Sequence, residues 1–525
     1  MRNWFEKFRL DSRSLGLFRI GLALVLILDC FYRFQNFEYL YTKNGVSPLD
    51  KTVSLTYRYY DWSFLSLSDE PFFVLSFFVL YFVILACFLV GWKTKFFNFL
   101  AMLFYVSILH RVEWVNYAGH SVIANCLFLG LFLPLSNRFA IKIPKILHKP
   151  SLFASCVLLL QAVILYFLAA VAKNGYDWQT GTAFYYALTC NMYSGEFGEK
   201  MAVWLPEFLI KGMNYATLIV EYSIALFLFH SSRLRWIAII NGIGLQLGIM
   251  FFMDLGVFPC GMMVIILPFI RSQDWDYLSK YIYKFNKFEE TKPCNNLLAK
   301  AILLMAAANC LILSYNCYIG TAALSYKNSG MKQINTPGFI QEVIQPFHTY
   351  QNWAVFAPMS KSYDDWLIPV ATLKDGTKYD LYLNRKLDNN NFLKTVSKMK
   401  PQSIAKNSME WEVIDKVSMG YSDFLADAYI RALWLKSNMP EEAIAWIDLY
   451  WFHEQSPEFK NRNDKPQEFL KFDDVKPELR ANLLNYYIIK KQVVIKNGKV
   501  INYSETVKPN DVKDVVPTNK NIDVK

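Results

Sequence analysis

Nine apolar runs, near 15–35, 72–92, 96–110, 118–135, 152–172, 214–230, 236–252, 256–270 and 298–317, alternate with short polar breaks over the first 317 residues. A helix crossing a bilayer at right angles needs about 20 apolar residues, so the longer runs predict spanning helices and the shorter ones marginal spans. The first run follows Arg2, Lys7, Arg9 and Arg13, as a signal peptide would. It is too long for one, contains Arg19 and Asp29, and lacks a small-residue cleavage site, which predicts a retained anchor.

After residue 317 the pattern changes. A Gly/Pro-punctuated connector, Asn328 to Gly338, leads into a strand-like segment, Trp366–Leu373. That segment faces a second, Thr377–Leu383, across Asp375-Gly376, a dipeptide suited to a tight hairpin. Tyr421–Ser437 and Glu441–His453 have helical spacing, with Pro440 able to open the second helix. Lys496-Asn497-Gly498-Lys499 predicts another hairpin, and the polar stretch from about Ser504 to Lys525 a frayed end. The expected fold is a polytopic α-helical membrane protein of about nine transmembrane helices (1–317), followed by a soluble α+β domain (318–525).

Composition sharpens this division. The chain of 525 residues is 54% hydrophobic and 17% aromatic, which excludes a disordered chain and argues against an ordinary cytosolic enzyme. Residues 318–525 hold 28 Lys/Arg and 25 Asp/Glu, more than half of all charged side chains. The net charge of +11 does not indicate a nucleic-acid binder, because the excess lies in short clusters between apolar runs. With the N-terminus inside, the inner segments carry 17 basic residues and the outer loops before the tail 7. That bias predicts a cytoplasmic N-terminus and an extracytoplasmic tail. All nine cysteines fall between Cys30 and Cys317, mostly in apolar runs, with no disulfide framework or CxxC metal pair.

Candidate chemistry gathers on the predicted outer face. Lys173 closes the fifth run, just before Asn174-Gly175-Tyr176-Asp177-Trp178. It reads either as a lysine snorkelling to the interface beside a Trp178 anchor or as a general base partly withdrawn from water. His120 begins the fourth run after Trp114, Asn116 and Tyr117, and reads as a hydrogen-bonded packing residue or a catalyst. His110 and His120 lack metal-ligand helix spacing, so no metal is expected. Asp29, Glu221 and Asp254 are acidic groups at membrane depth, where such groups are costly. Glu221 is read evenly between a functional group and a structural one, whereas Asp29 and Asp254 favour structure, either an ion pair with a residue such as Arg19 or Arg33 or a carboxyl kept neutral.

Several segments together resemble a known family. Leu10-Asp11-Ser12-Arg13-Ser14-Leu15-Gly16-Leu17-Phe18-Arg19, Tyr41-Thr42-Lys43-Asn44-Gly45-Val46, His110-Arg111, Gly119-His120 and Phe132-Leu133-Pro134 resemble the horizontally transferred transmembrane domain, a bacterial family related to vitamin K-dependent gamma-glutamyl carboxylase. Tyr166 to Trp178 is similar, almost position for position, to the carboxylase segment bearing the catalytic lysine, which falls on Lys173. His120 falls on a histidine implicated in the carboxylase site. Gln246 stands where many relatives carry a histidine; a glutamine holds hydrogen bonds but carries no proton. In the tail, Gln351-Asn352-Trp353-Ala354-Val355-Phe356-Ala357-Pro358 resembles the exported tail of bacterial members rather than the carboxylase propeptide-binding domain.

The resemblance implies an integral enzyme of a bacterial cell membrane. Lys173 and His120 would be catalytic, with Trp114, Asn116, Tyr166, Asp177, Trp178, Glu221 and Gln246 lining the site. Its cofactor would be a reduced quinone, menaquinol or vitamin K hydroquinone, deprotonated by Lys173. Dioxygen would then generate a strong base that removes a carbon-bound proton from an exported peptide or protein. In a carboxylase, carbon dioxide traps the carbanion. The alternative is a non-enzymatic membrane partner in peptide-toxin maturation or immunity. A transporter fits less well, because no repeated pair of Gly/Pro-broken spans is present.

Overall fold

The structure is a computed structural model, and it describes residues 8–49, 61–144, 147–278, 296–325, 332–349, 356–397, 408–418, 423–463, 469–475 and 485–503. The membrane body is built from α1 (Ser12–Gln35), α2 (Pro71–Val90), α3 (Thr94–Arg111), α4 (Ala118–Gly130) and α5 (Leu152–Ala172). Three shorter helices follow: α6 (Tyr176–Thr180), α7 (Ala183–Thr189) and α8 (Asn191–Trp204). Further along the chain come α9 (Glu207–Phe227), α10 (Ser232–Phe252), α11 (Phe258–Val264), α12 (Ser272–Leu278) and α13 (Leu297–Ser325).

Local chemistry sets the helix ends. Asp11 caps α1 by accepting the Arg13 amide at 2.7 Å, and Pro71 opens α2, where its missing N–H has no intrahelical role. Gly91 ends α2 at φ +78°, and a Cβ there would fall 2.6 Å from Arg19 Nη1. Only glycine lets the α2–α3 turn close over that buried guanidinium.

All nine apolar runs are helical over most of their length, but length and apolarity establish fewer than nine full spans among the described residues. Five described helices are long and apolar enough to cross a membrane: Ser12–Gln35, Pro71–Val90, Leu152–Ala172, Ser232–Phe252 and Leu297–Gly320. Ala118–Gly130 and Phe258–Phe269 are apolar but shorter. α3 carries Lys95 and Arg111, and α9 carries Glu207, Lys211 and Glu221, so length alone qualifies them.

The tail is a seven-stranded sheet in the order β3-β2-β1-β4-β6-β5, with β7 paired to β6. Its strands are β1 (Tyr363–Leu373), β2 (Lys378–Asp380), β3 (Arg385–Leu387), β4 (Ile444–Gln455), β5 (Leu470–Lys471), β6 (Asn485–Lys496) and β7 (Lys499–Asn502). Both hairpins are present: Gly376 adopts φ +81°, and Asn497 and Gly498 adopt +53° and +68°. Two helices, α14 (Ser408–Ser418) and α15 (Asp423–Ser437), join the packing. Trp366, Ile368 and Val370 pack with Tyr450 and Phe452 in one cluster, while Leu367 and Ala371 pack with Ile447, Leu449 and α15 in another. That alternation is the period of two that a strand imposes.

One expected element changes type. Glu441–His453 is not a helix: Ile444–Gln455 forms β4, paired antiparallel with β1 on one side and β6 on the other. A central strand buried on both faces reads as a near-continuous apolar run, which helical spacing also fits. Its Ile, Trp, Tyr and Phe content suits a pleated surface. The expected frayed end, 504–525, and part of the connector lie outside the described residues.

Candidate functional site

Lys173 is the C-cap residue of α5, and Tyr166 and Ala169 lie on the same face of that helix at helical spacing. Its ammonium is buried. Nζ lies 2.7 and 2.9 Å from the two carboxylate oxygens of Glu221, which projects from α9, and 3.0 Å from the Ala169 carbonyl oxygen. The Trp178 ring lies 5.4 Å from Nζ, measured to its centroid, close enough for a cation–π contact. All three ammonium hydrogens thus have acceptors.

This pair stands in the wall of a cavity of about 260 Å³. α9 contributes Met213, Ala216, Thr217, Val220 and Glu221, a helical stripe, and α10 contributes residues from Gly244 to Phe252. The two helices touch lower down, where Asn241 Nδ2 donates to Ser223 Oγ at 3.4 Å and Gly242 packs close to Ile224. Towards Lys173 the cavity lies between them. Ala216 and Gly244 line the cavity yet are exposed, and a Cβ on Gly244 would meet nothing within 4 Å. The cavity therefore opens sideways between two helices whose outer surfaces are apolar.

Other groups give the cavity its few polar points. Tyr166 Oη donates to the Met262 carbonyl oxygen at 3.3 Å and lies 3.4 Å from Gln246 Nε2. Gln246 Oε1 is buried with no hydrogen-bond partner among the described residues. The roof comes from the tail: Phe356 lines the cavity, and Trp178 Nε1 donates to its carbonyl oxygen at 2.8 Å. The Gly175 amide donates to the Pro358 carbonyl oxygen at 2.9 Å, and a Cβ on Gly175 would fall 2.4 Å from that oxygen. A side chain at position 175 would push the tail off the roof.

The structure thus gathers Lys173, Tyr166, Trp178, Glu221 and Gln246 around one space. Asp177 sits behind it. Its carboxylate accepts the Trp178 amide at 3.0 Å and the Ser360 amide at 2.6 Å, and burial pushes the carboxyl above its ordinary range.

His120, Trp114 and Asn116 do not line this cavity. His120 Nδ1 accepts the Tyr117 amide at 3.2 Å, and its Nε2 lies 3.2 Å from Asp29 Oδ1 and 3.1 Å from Arg33 Nη2. Arg33 Nε donates to Asp29 Oδ2 at 2.8 Å, and its Nη1 to Tyr41 Oη at 2.8 Å. Asn116 Nδ2 donates to the Leu109 carbonyl oxygen at 2.7 Å, and Trp114 Nε1 has no partner among the described residues. Asp29 pairs with Arg33 rather than Arg19, whose guanidinium caps the Leu135 and Phe139 carbonyls. Asp254 is exposed, with its carboxylate accepting the Gly256 amide at 3.3 Å. Sequence reasoning missed Phe356 as a wall residue. It lies within the tail motif, but nothing local announces a contact across 178 positions.

The sequence model of the HTTM domain matches residues 8–275, slightly more than half of the chain and the whole of the segment holding both clusters. No curated protein and no solved structure matches the chain. The chain belongs to the HTTM family, which is related to vitamin K-dependent gamma-glutamyl carboxylase.

Proposed function

We propose that this protein is a membrane enzyme in which Lys173 acts as a base on a reduced quinone, leading to modification of an exported peptide or protein. The observation carrying this reading is a buried Lys173–Glu221 pair on the wall of an apolar cavity that opens sideways between α9 and α10. A lipid-soluble ligand reaches such a cavity through the bilayer, and a peptide approaches from the side of the tail.

The residues fit a planar hydroxyaromatic head group. Trp178, Phe184, Phe252, Phe258 and Phe356 supply flat apolar walls, and the unpartnered Gln246 Oε1 accepts a hydroxyl hydrogen. When bound, a reduced quinone would supply a weakly acidic hydroxyl and, with dioxygen, the oxidative chemistry from which the family's strong base arises. Glu221 holds the Lys173 amine in place and can take its proton, leaving a neutral amine able to accept another. Phe356 and Trp178 keep water from the reacting end. Carbon dioxide would be the further co-substrate if the modification is carboxylation.

A specific observation favours the second reading, a non-enzymatic partner that binds a hydrophobic peptide. The Lys173 ammonium already fills all its donor positions, as a purely structural ion pair would. Quinol-dependent oxygen uptake by the reconstituted protein, with mass spectrometry of co-expressed exported peptides, separates the two. Uptake that Lys173→Arg abolishes supports the enzyme; no uptake and no mass change on any peptide supports the binding partner.

A further inference from the structure

A second cavity, of about 690 Å³, lies at the opposite end of the bundle, where α1 begins and α9 turns into α10. Its wall holds Arg9, Arg235, Arg271 and His230, with Phe8 and Phe229 in edge-to-face contact at 5.4 Å. No carboxylate lines it among the described residues.

Arg235 is the unusual group. It is 1% exposed, and its Nη2 donates to Asp274 Oδ2 at 2.7 Å and to Ser232 Oγ at 3.4 Å. Its Nε has no partner among the described residues. A buried guanidinium normally fills its donors, because an unmet charged donor is costly. Asp274 cannot help further: it already accepts from Ser232 Oγ, Trp236 Nε1 and the Arg271 amide. The N-terminus of α10 adds to the same field, since Ser231 caps it without a side-chain hydrogen bond. Arg271 is half-buried, and its one side-chain bond among the described residues is a 3.5 Å contact from Nη2 to the Phe229 carbonyl oxygen.

We infer that this cavity binds an anionic phosphate ester, held by the fork of the half-buried Arg271 and by the amides opening α10, with the buried Arg235 charge behind them. Guanidinium forks match phosphate oxygens in pairs, and the volume exceeds what a bare inorganic ion fills. The same chemistry is presented by an anionic phospholipid head group at the end of the bundle and by a soluble phosphate monoester. This inference is independent of any role for Lys173.

The test is thermal unfolding of the purified full chain in neutral detergent, titrated separately with phosphatidylglycerol, phosphatidylcholine, inorganic phosphate and glycerol phosphate. A rise in Tm with phosphatidylglycerol alone identifies the lipid source, and a rise with glycerol phosphate the soluble one. Arg271→Gln, at a half-buried position, weakens the responding ligand on the order of 10-fold, whereas Arg235→Lys, which keeps the charge opposite Asp274, leaves it within a few fold. The inference is overturned if no phosphate compound acts beyond phosphatidylcholine, or if Arg271→Gln responds as the parent chain does.

Discussion

Trp178 donates its indole N–H to the Phe356 carbonyl oxygen at 2.8 Å, joining α6 to the tail directly above the Lys173 cavity. The tail therefore builds part of the site that the membrane helices begin. Trp178→Phe keeps the ring and removes that bond, a change of about 1 kcal/mol. Hydrogen exchange across Phe356–Ser360 should accelerate roughly 5-fold while the transmembrane helices keep their protection.

Lys173→Arg is expected to lower quinol-dependent turnover by at least about 100-fold, because a guanidinium stays protonated and cannot serve as a base. Steady-state oxygen uptake measures this. Turnover within a few fold of the parent would leave Lys173 as an anchor only.

Glu221→Gln leaves the Lys173 ammonium buried opposite a neutral amide. Loss of one partner of a buried pair is expected to cost about 3 kcal/mol, whereas Lys173→Met combined with Glu221→Met should recover most of it. Denaturant unfolding in detergent distinguishes these outcomes. A double change that costs as much as the sum of the Lys173→Met and Glu221→Met single changes would show that the two side chains act independently.

Two carboxylates outside the spanning helices give opposite pH slopes. Burial raises the Asp177 carboxyl above its ordinary value of 3.8, so the unfolded chain ionises first. Its contribution is complete below 3.8 and falls as pH climbs through the raised folded value. Burial also opposes ionisation of Asp274, but the Arg271 amide, Arg235 and Trp236 outweigh it and hold that carboxyl below 3.8. Its contribution is complete above 3.8 and is lost as pH falls through the folded value. Unfolding free energy measured across the acid range should therefore lose its downward slope with rising pH in Asp177→Asn, and its acid-side loss in Asp274→Asn.

Much of the membrane body was legible because long apolar runs have one cheap answer in a bilayer, a helix that satisfies its own backbone. Lys173 was legible too, as a charged residue closing such a run beside aromatics. β4 was not: burial on both faces erased the alternation that marks a strand, and only its pairing with β1 and β6 reveals it. His120 and Lys173 each stood out in the sequence, but adjacency along a chain says little about shared space. Asp29, itself paired with Arg33, claims the histidine, while Glu221 claims the lysine.

By itself the sequence determined a helical membrane body with a charged α+β tail, because burial of apolar length and satisfaction of backbone hydrogen bonds depend on local composition. Only the tertiary structure decided that a cavity lies between α9 and α10, that Glu221 meets Lys173, and that Phe356 covers them both. Those outcomes depend on packing between segments distant in the chain, where shape and unpaired charge select among contacts that local pattern leaves equally open.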